Sequence, residues 1–203
     1  MATNKTALSI LIPTVEGREA KLQQLLNILD PQLDKLVQLA IHSGVMPVEI
    51  LIDKDNKEVS IGAKRQRLLE NALGDYVVFI DDDDLVSDDY MDQILNNLGA
   101  DAVGFLIDCF EEGRYTGRAK ASNSYANWGE NQDGFKYVRT IYHKTPVKRE
   151  LALKAGFKDM RYGEDYDYCM RLKPFIKSEN FIDRVLYYYR YEHEDHNKKY
   201  GIK

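Results

Sequence analysis

Only two cysteines, Cys109 and Cys169, occur in 203 residues, and neither belongs to a CxxC pair. That leaves neither a disulfide framework nor a thiolate zinc site to build on, and it suits a reducing, cytoplasmic setting. The N-terminus lacks the apolar core of a signal peptide, and no apolar run approaches the roughly 20 residues needed to cross a bilayer. No integral membrane segment is expected, and any membrane attachment would come through a partner. A cationic surplus is also missing. Lysine and arginine number 28 against 33 aspartates and glutamates, giving a net charge of −5, and they are scattered along the chain. Without a basic stripe there is no footprint for a nucleic-acid backbone, so an anionic ligand would need a metal or a few placed cations. Internal repeats and a recognisable domain linker are absent as well. With 44% hydrophobic and 30% charged residues, the chain reads as a single globular domain over residues 1–203 that can bury a substantial core. The end at Lys203 also permits one module of a longer protein with adjoining domains.

What is present is concentrated acidity at one junction. Asp81, Asp82, Asp83 and Asp84 directly follow the apolar run Tyr76-Val77-Val78-Phe79-Ile80. Such a run reads as a buried strand, and carboxylates crowded at its end repel one another unless a cation or a proton neutralises them. A divalent metal is one explanation, a solvated acidic loop the bland one. An EF-hand is excluded, because no glycine occupies the sixth loop position and no glutamate the twelfth.

Around this junction, strands alternate with helices for about a hundred residues. Leu8 to Ile12 is a short strand halted by Pro13. Leu22, Leu25, Leu26 and Leu29 recur at helical spacing until Pro31, and Leu33, Leu36, Val37 and Ala40 repeat the pattern. Val48 to Ile52 is the next strand and ends at Asp53. Ser60 can cap a helix carrying Leu68, Leu69 and Ala72, which Gly74 stops; Ser87 can cap another carrying Met91, Ile94, Leu95 and Leu98. The order βαβαβα implies an α/β fold whose central, mostly parallel sheet is flanked by helices, with a ligand crevice at the carboxyl ends of the strands. Pro13, Asp53 and Asp81 all lie at such ends. In the second half, Ala102 to Phe110 reads as a strand and 111–134 as a long polar segment. Residues 135–142 read as a strand, 147–155 and Glu164–Leu172 as helices, and Val185–Tyr191 as an aromatic strand.

Four blocks in order carry a family resemblance: Leu8-Ser-Ile-Leu-Ile-Pro-Thr14; Glu49-Ile-Leu-Ile-Asp53; Gly62-Ala-Lys-Arg-Gln66 through Gly74 to Asp84; and Gly163-Glu-Asp-Tyr-Asp-Tyr-Cys-Met-Arg171. Together they resemble the nucleotide-sugar glycosyltransferases of family 2, which have the GT-A fold. Compact viral enzymes that build glycans on capsid proteins are similar in size and style. The resemblance implies a nucleotide-sugar half over about 1–100 and an acceptor-binding and catalytic half over about 101–203. It also implies a UDP-sugar donor, a Mn²⁺ or Mg²⁺ ion, a glycan or glycoconjugate acceptor, and inversion at the anomeric carbon.

Residue by residue, it makes Pro13, Thr14 and Val15 the wall of the base pocket and gives Asp53 a hydrogen bond to uracil or ribose. Asp81 would face the ribose or the metal shell and Asp83 would ligate the metal. Asp82 and Asp84 remain able to contribute, because four adjacent carboxylates leave the register open by one. Arg65 matches a family arginine, although Gln66 stands where asparagine usually follows; Lys64 and Arg67 read as solvated helix residues. The Glu164-Asp165 pair supplies the base, with Asp165 favoured. Crowding would raise its pKa and the helix N-terminus lower it, leaving the balance open. Near the C-terminus Arg190 could meet a phosphate, and His193 or His196 could complete the metal shell, although Glu192 disturbs the family spacing. Trp128, Tyr125 and Tyr137 could stack on a sugar ring. Two other classes stay in view: a degenerate nucleotide- or glycan-binding module, and a nucleotidyltransferase that makes the donor. For the latter, Pro13-Thr-Val-Glu-Gly-Arg18 does not supply the Gly-rich phosphate loop.

Overall fold

Alternate residues of the first strand point to opposite sides of the sheet, and both sides are apolar, which is the signature of a strand covered on both faces. The structure, a computed structural model, describes residues 6–40 and 46–193. Along the chain the elements are β1 (Leu8–Val15), α1 (Glu19–Ala40), β2 (Val48–Asp55), α2 (Ile61–Asn71), β3 (Tyr76–Phe79), β4 (Leu85–Val86), α3 (Tyr90–Leu95), β5 (Ala102–Glu111), β6 (Arg114–Ala121), β7 (Gly129–Gln132), β8 (Phe135–Arg139), β9 (Val147–Lys148), α4 (Arg149–Ala155), α5 (Glu164–Leu172) and β10 (Glu179–Tyr191), with a 3₁₀ turn at Lys173–Phe175.

The sheet runs β2-β1-β3-β9-β5-β6-β8-β7, and β10 lies beside β5 and β4. Strands β1–β2, β1–β3, β5–β10 and β6–β8 pair in parallel. The remaining pairings are antiparallel, so the sheet is mixed. Ile10, Ile12, Val78 and Ile80 face one core with Leu25 and Leu29 of α1 and Met91 of α3. Leu11, Val77 and Phe79 face the other with Leu68 and Leu69 of α2, Leu151 of α4 and Tyr168 of α5. This sandwich fixes β1 and β3 side by side, so the segment after Val15 and the aspartates after Ile80 emerge at the same sheet edge.

Two close approaches lock the frame. Gly74 donates its N–H to Ser9 Oγ at 2.8 Å, and a Cβ there would fall 2.6 Å from the Ser9 nitrogen. At Gly62, the start of α2, a Cβ would lie 2.0 Å from the Lys158 carbonyl oxygen. Ser60 caps this helix as expected, accepting the Ala63 N–H at 3.0 Å.

Several elements differ from the sequence reading. Pro31 does not divide α1, which continues to Ala40. Its ring removes one N–H, and beside it the Gln32 side-chain amide donates to the Ile28 carbonyl at 3.0 Å. Buried Leu29 and Leu36 hold the two halves on one core. Segment 111–134 is not structureless: it holds β6 and β7. Glu112-Gly113 and Asp133-Gly134 both adopt positive φ, the backbone of a tight hairpin turn. Strand β8 stops at Arg139, residues 147–148 form a short strand before α4, and β10 begins at Glu179 rather than Val185.

Candidate active site

The ends of β1 and β3 and the loops beside them enclose a cleft of about 490 Å³, within the range of small-molecule sites. Pro13, Thr14 and Val15 form one wall, followed by Glu16, Gly17 and Arg18. Asp81 and Asp82 line it from β3, and Lys57, Val59, Lys64, Arg161 and Tyr162 close the other sides.

Each aspartate of the acidic run has a different environment. Asp81 receives Arg65 at 2.8 Å and Lys144 at 2.9 Å, with His143 Nε2 3.9 Å away. Burial pushes its pKa up, but Lys144 and then Arg65 outweigh it and hold the carboxyl well below the usual range. Asp82 is buried, accepts the Thr14 hydroxyl at 2.6 Å and meets Arg18 at 2.9 Å. Desolvation dominates there and, with Asp83 alongside, raises its pKa to about 6. Asp83 is the more open of these two, pairs with Arg18, and accepts Arg190 Nε through its backbone carbonyl at 2.6 Å. Asp84 is enclosed by the Lys144 ammonium, the Tyr187 hydroxyl at 2.7 Å and the Arg190 backbone N–H at 2.7 Å. Desolvation raises it to about 6 as well.

One guanidinium joins the two acidic motifs. Arg65, buried on α2, reaches Asp81 with one nitrogen and Glu164 with another at 3.0 Å, while its planar face lies 5.9 Å from the Phe79 and Phe157 ring centroids. Glu164 is raised by burial, which the attraction of Arg65 opposes. Asp165, the next residue, is partly buried at the first turn of α5 and accepts its neighbour Tyr166's N–H at 2.8 Å. Its charge is felt at Arg65 and at His143. His143 is buried and its pKa falls to about 4, through desolvation first and the Arg65 charge second.

The donor set fits a hard divalent cation. Asp81, Asp83 and Asp84 each bring a carboxylate oxygen within 4.8 Å of the others, and an all-oxygen set suits Mn²⁺ or Mg²⁺ better than softer metals. Asp84 is the most occupied by protein partners, so Asp81 and Asp83 have the freer oxygens.

The remaining sequence candidates sit as follows. Asp53 is held bidentately by Arg67 at 2.5 and 2.7 Å and is not among the residues lining the cleft. Lys64 is buried rather than solvated, donating to the Thr14 carbonyl at 2.5 Å and pairing with Asp55. The Arg190 side chain grips the acidic turn and Gln24. His193 is exposed against Glu111 at 3.2 Å and does not join the carboxylate cluster; His196 lies outside the described residues. Trp128 packs edge-on with Tyr142 and Tyr166, beneath the Arg139 guanidinium, which also covers Tyr137; Tyr125 is buried. Arg18, Arg161, Tyr162, His143 and Lys144 were not anticipated as site residues. Arg18 stood in the segment read for a phosphate loop, whereas nothing local distinguishes Lys144.

Comparison with known proteins follows this geometry. The family model described as Glycosyl transferase family 2 matches residues 40–151. A curated relative from Bacillus subtilis (strain 168), named "Putative glycosyltransferase EpsH", is 23% identical over 153 residues, 69% of this chain and 44% of its own length. Among solved structures, S. aureus TarS 1-349 in complex with UDP-GlcNAc superposes with a TM-score of 0.61 at 16% identity, over 92% of this chain and 59% of that one. TarS 1-349 in complex with UDP also gives 0.61, over 96% and 63%. This chain therefore spans less than two thirds of these relatives' length. The structural likeness establishes the GT-A type of α/β fold.

Proposed function

The chain belongs to glycosyl transferase family 2, and from that membership we propose that it moves a sugar from a UDP-sugar to a hydroxyl of a glycan or glycoconjugate, with Mn²⁺ or Mg²⁺ and with inversion. The observation that carries this reading is the cleft, in which the Pro13–Val15 wall meets the carboxylates at the end of β3. The UDP and UDP-GlcNAc complexes of the TarS neighbours support a uridine diphosphate donor.

A divalent ion held by Asp81 and Asp83 would act as a Lewis acid on the departing diphosphate. The protein's own residues set the rest. Thr14 and Arg18 orient Asp82, while Lys144, Tyr187 and Arg190 fix Asp84, so the acidic turn is pre-organised. Arg65 ties the turn to Glu164 of α5, and the adjacent Asp165 is taken as the base in this reading. In the proposed step the acceptor oxygen bonds to the anomeric carbon as the bond from that carbon to the phosphate oxygen breaks. The acceptor proton passes to the Asp165 carboxylate.

Calorimetric titration tests the donor assignment. UDP, rather than GDP or CDP, should bind with Mn²⁺ and lose that binding in EDTA. An absence of nucleotide binding in both conditions would reject the proposal in favour of a degenerate module.

A further inference from the structure

We infer that Arg18 is an exchangeable counter-ion: it neutralises Asp82 and Asp83 when the cleft is empty and transfers its charge to the diphosphate of the bound nucleotide. The inference rests on the donor reading above and adds a residue and an order of events to it.

The geometry points to this role in three ways. First, Arg18 lines the cleft and bridges Asp82, which also lines it, to the adjacent Asp83, 2.9 Å from the former and closer to the latter. It thus competes for Asp83 with any cation that this carboxylate binds. Second, it is held there by ion pairs with the two carboxylates. Its Nε and the bridging NH2 nitrogen are buried and make no well-directed hydrogen bond, unlike Arg65, whose NH2 donates to Asp81, or Arg190, whose Nε donates to a carbonyl. A guanidinium presents planar paired donors suited to phosphate oxygens, and here its Nε and NH2 donors are not taken up by directed hydrogen bonds. Third, Arg18 sits at the junction between β1 and α1, with its side chain on the cleft. Gly17 before it has φ +85° with open space around its Cβ position, and Arg18's carbonyl starts α1 by accepting the N–H groups of Lys21 and Leu22. Its backbone is anchored by the helix start, and its side chain is held by the Asp82 and Asp83 carboxylates.

Four other cations near the site have different partners. Arg65 and Lys144 are buried and each bridges two carboxylates, Arg65 tying Asp81 to Glu164 and Lys144 tying Asp81 to Asp84. Lys64 is fixed between Thr14 and Asp55. Arg161 donates to the backbone carbonyls of Lys57 and Glu58, at 3.5 Å, and among the described residues makes no ion pair with Asp81, Asp82 or Asp83. Arg18 alone among these five both contacts Asp83 and borders the cleft.

The consequence is opposite effects of one substitution on two ligands. Removing the competing charge should tighten Mn²⁺ binding to the nucleotide-free protein, and removing a diphosphate ligand should weaken UDP binding in saturating Mn²⁺. Both are measured by calorimetry on the full chain, with Mn²⁺ alone and then UDP. For Arg18→Gln, each affinity should move by about tenfold, in opposite directions, on the scale of a charge-assisted contact. Arg18→Lys keeps the charge and should leave Mn²⁺ affinity near the wild-type value, while recovering only part of the UDP affinity because the fork is lost. If Arg18→Gln weakens both ligands, changes neither, or tightens Mn²⁺ while leaving UDP binding intact, the exchange is wrong although the donor reading stands. If the wild-type protein binds no UDP with or without Mn²⁺, the donor reading fails and takes the exchange with it.

Discussion

In the proposed function Asp165 and Asp81 carry different tasks. Asp81 is held ionised by Lys144 and Arg65, which suits a ligand that must stay charged and makes it a poor proton acceptor. Asp165 stands one residue beyond the Glu164–Arg65 contact and among the described residues makes no direct ion pair, which in the proposed function leaves its carboxylate available to the acceptor hydroxyl. Asp165→Asn is therefore expected to keep UDP affinity in Mn²⁺ and to lower transfer by about 10²- to 10⁴-fold, the usual range for general-base removal. Titration calorimetry and a sugar-transfer assay read the two quantities separately, and undiminished turnover would remove the role. The candidate carboxylates were visible in the sequence as adjacent acids after a strand and at a helix start. Their individual characters were not, because a carboxylate's pKa is set by its burial and by which cations stand near it, and those come from the turn between β1 and α1, from α2, from the segment after β8 and from β10.

At the scale of elements, local periodicity carried most of what could be read. Glu164–Leu172 forms the helix its acidic start and the following Pro174 suggest, and Leu8–Ile12 and Val48–Ile52 lie within strands. The failures share a cause. Pro31 is tolerated because neighbouring side chains and a buried apolar face stabilise α1 across it, a tertiary override of a local breaker. The β5–β6 and β7–β8 hairpins were hidden by polar strands, although Asp133-Gly134 was a legible turn signal. Where two elements touch through a glycine, the contact can be tested. Gly62→Ala should destabilise the protein by about 1–3 kcal/mol, the usual cost of overpacking, because the new Cβ meets the Lys158 carbonyl of the segment leading to α5. A lowered urea midpoint at unchanged slope is the expected reading. An unaltered midpoint would mean that this segment yields freely.

For the whole molecule, the acidic site makes stability depend on pH through groups of opposite sign. Asp82 and Asp84 are raised to about 6, so the folded state binds more protons than the unfolded one; their stabilising contribution is present below the unfolded carboxylate pKa and is lost as pH rises through about 6. His143 is lowered to about 4 from 6.5. Its neutral form favours folding above 6.5, and that contribution is lost as pH falls towards 4. Between these limits the two effects offset each other in the wild-type protein. His143→Gln removes only the second, so the variant's stability relative to wild type should rise by roughly 2 kcal/mol between pH 7 and pH 5, from the linkage relation. Denaturant melts at both pH values measure it; a difference that does not change with pH would show that His143 is not held neutral by the fold.

The sequence by itself determined that strands and helices alternate, that apolar faces occur on both sides of β1 and β3, and that acidic groups stand where a strand and a helix begin or end. These follow from short-range rules of periodicity, capping and steric restriction. Tertiary structure alone decided which carboxylates line the cleft, that Arg65 binds the two acidic motifs together, and that Lys144 lies between Asp81 and Asp84. Such pairings depend on distances across the folded sheet, where burial strengthens charge interactions and makes each unpaired charge costly. No local pattern in the chain records those distances.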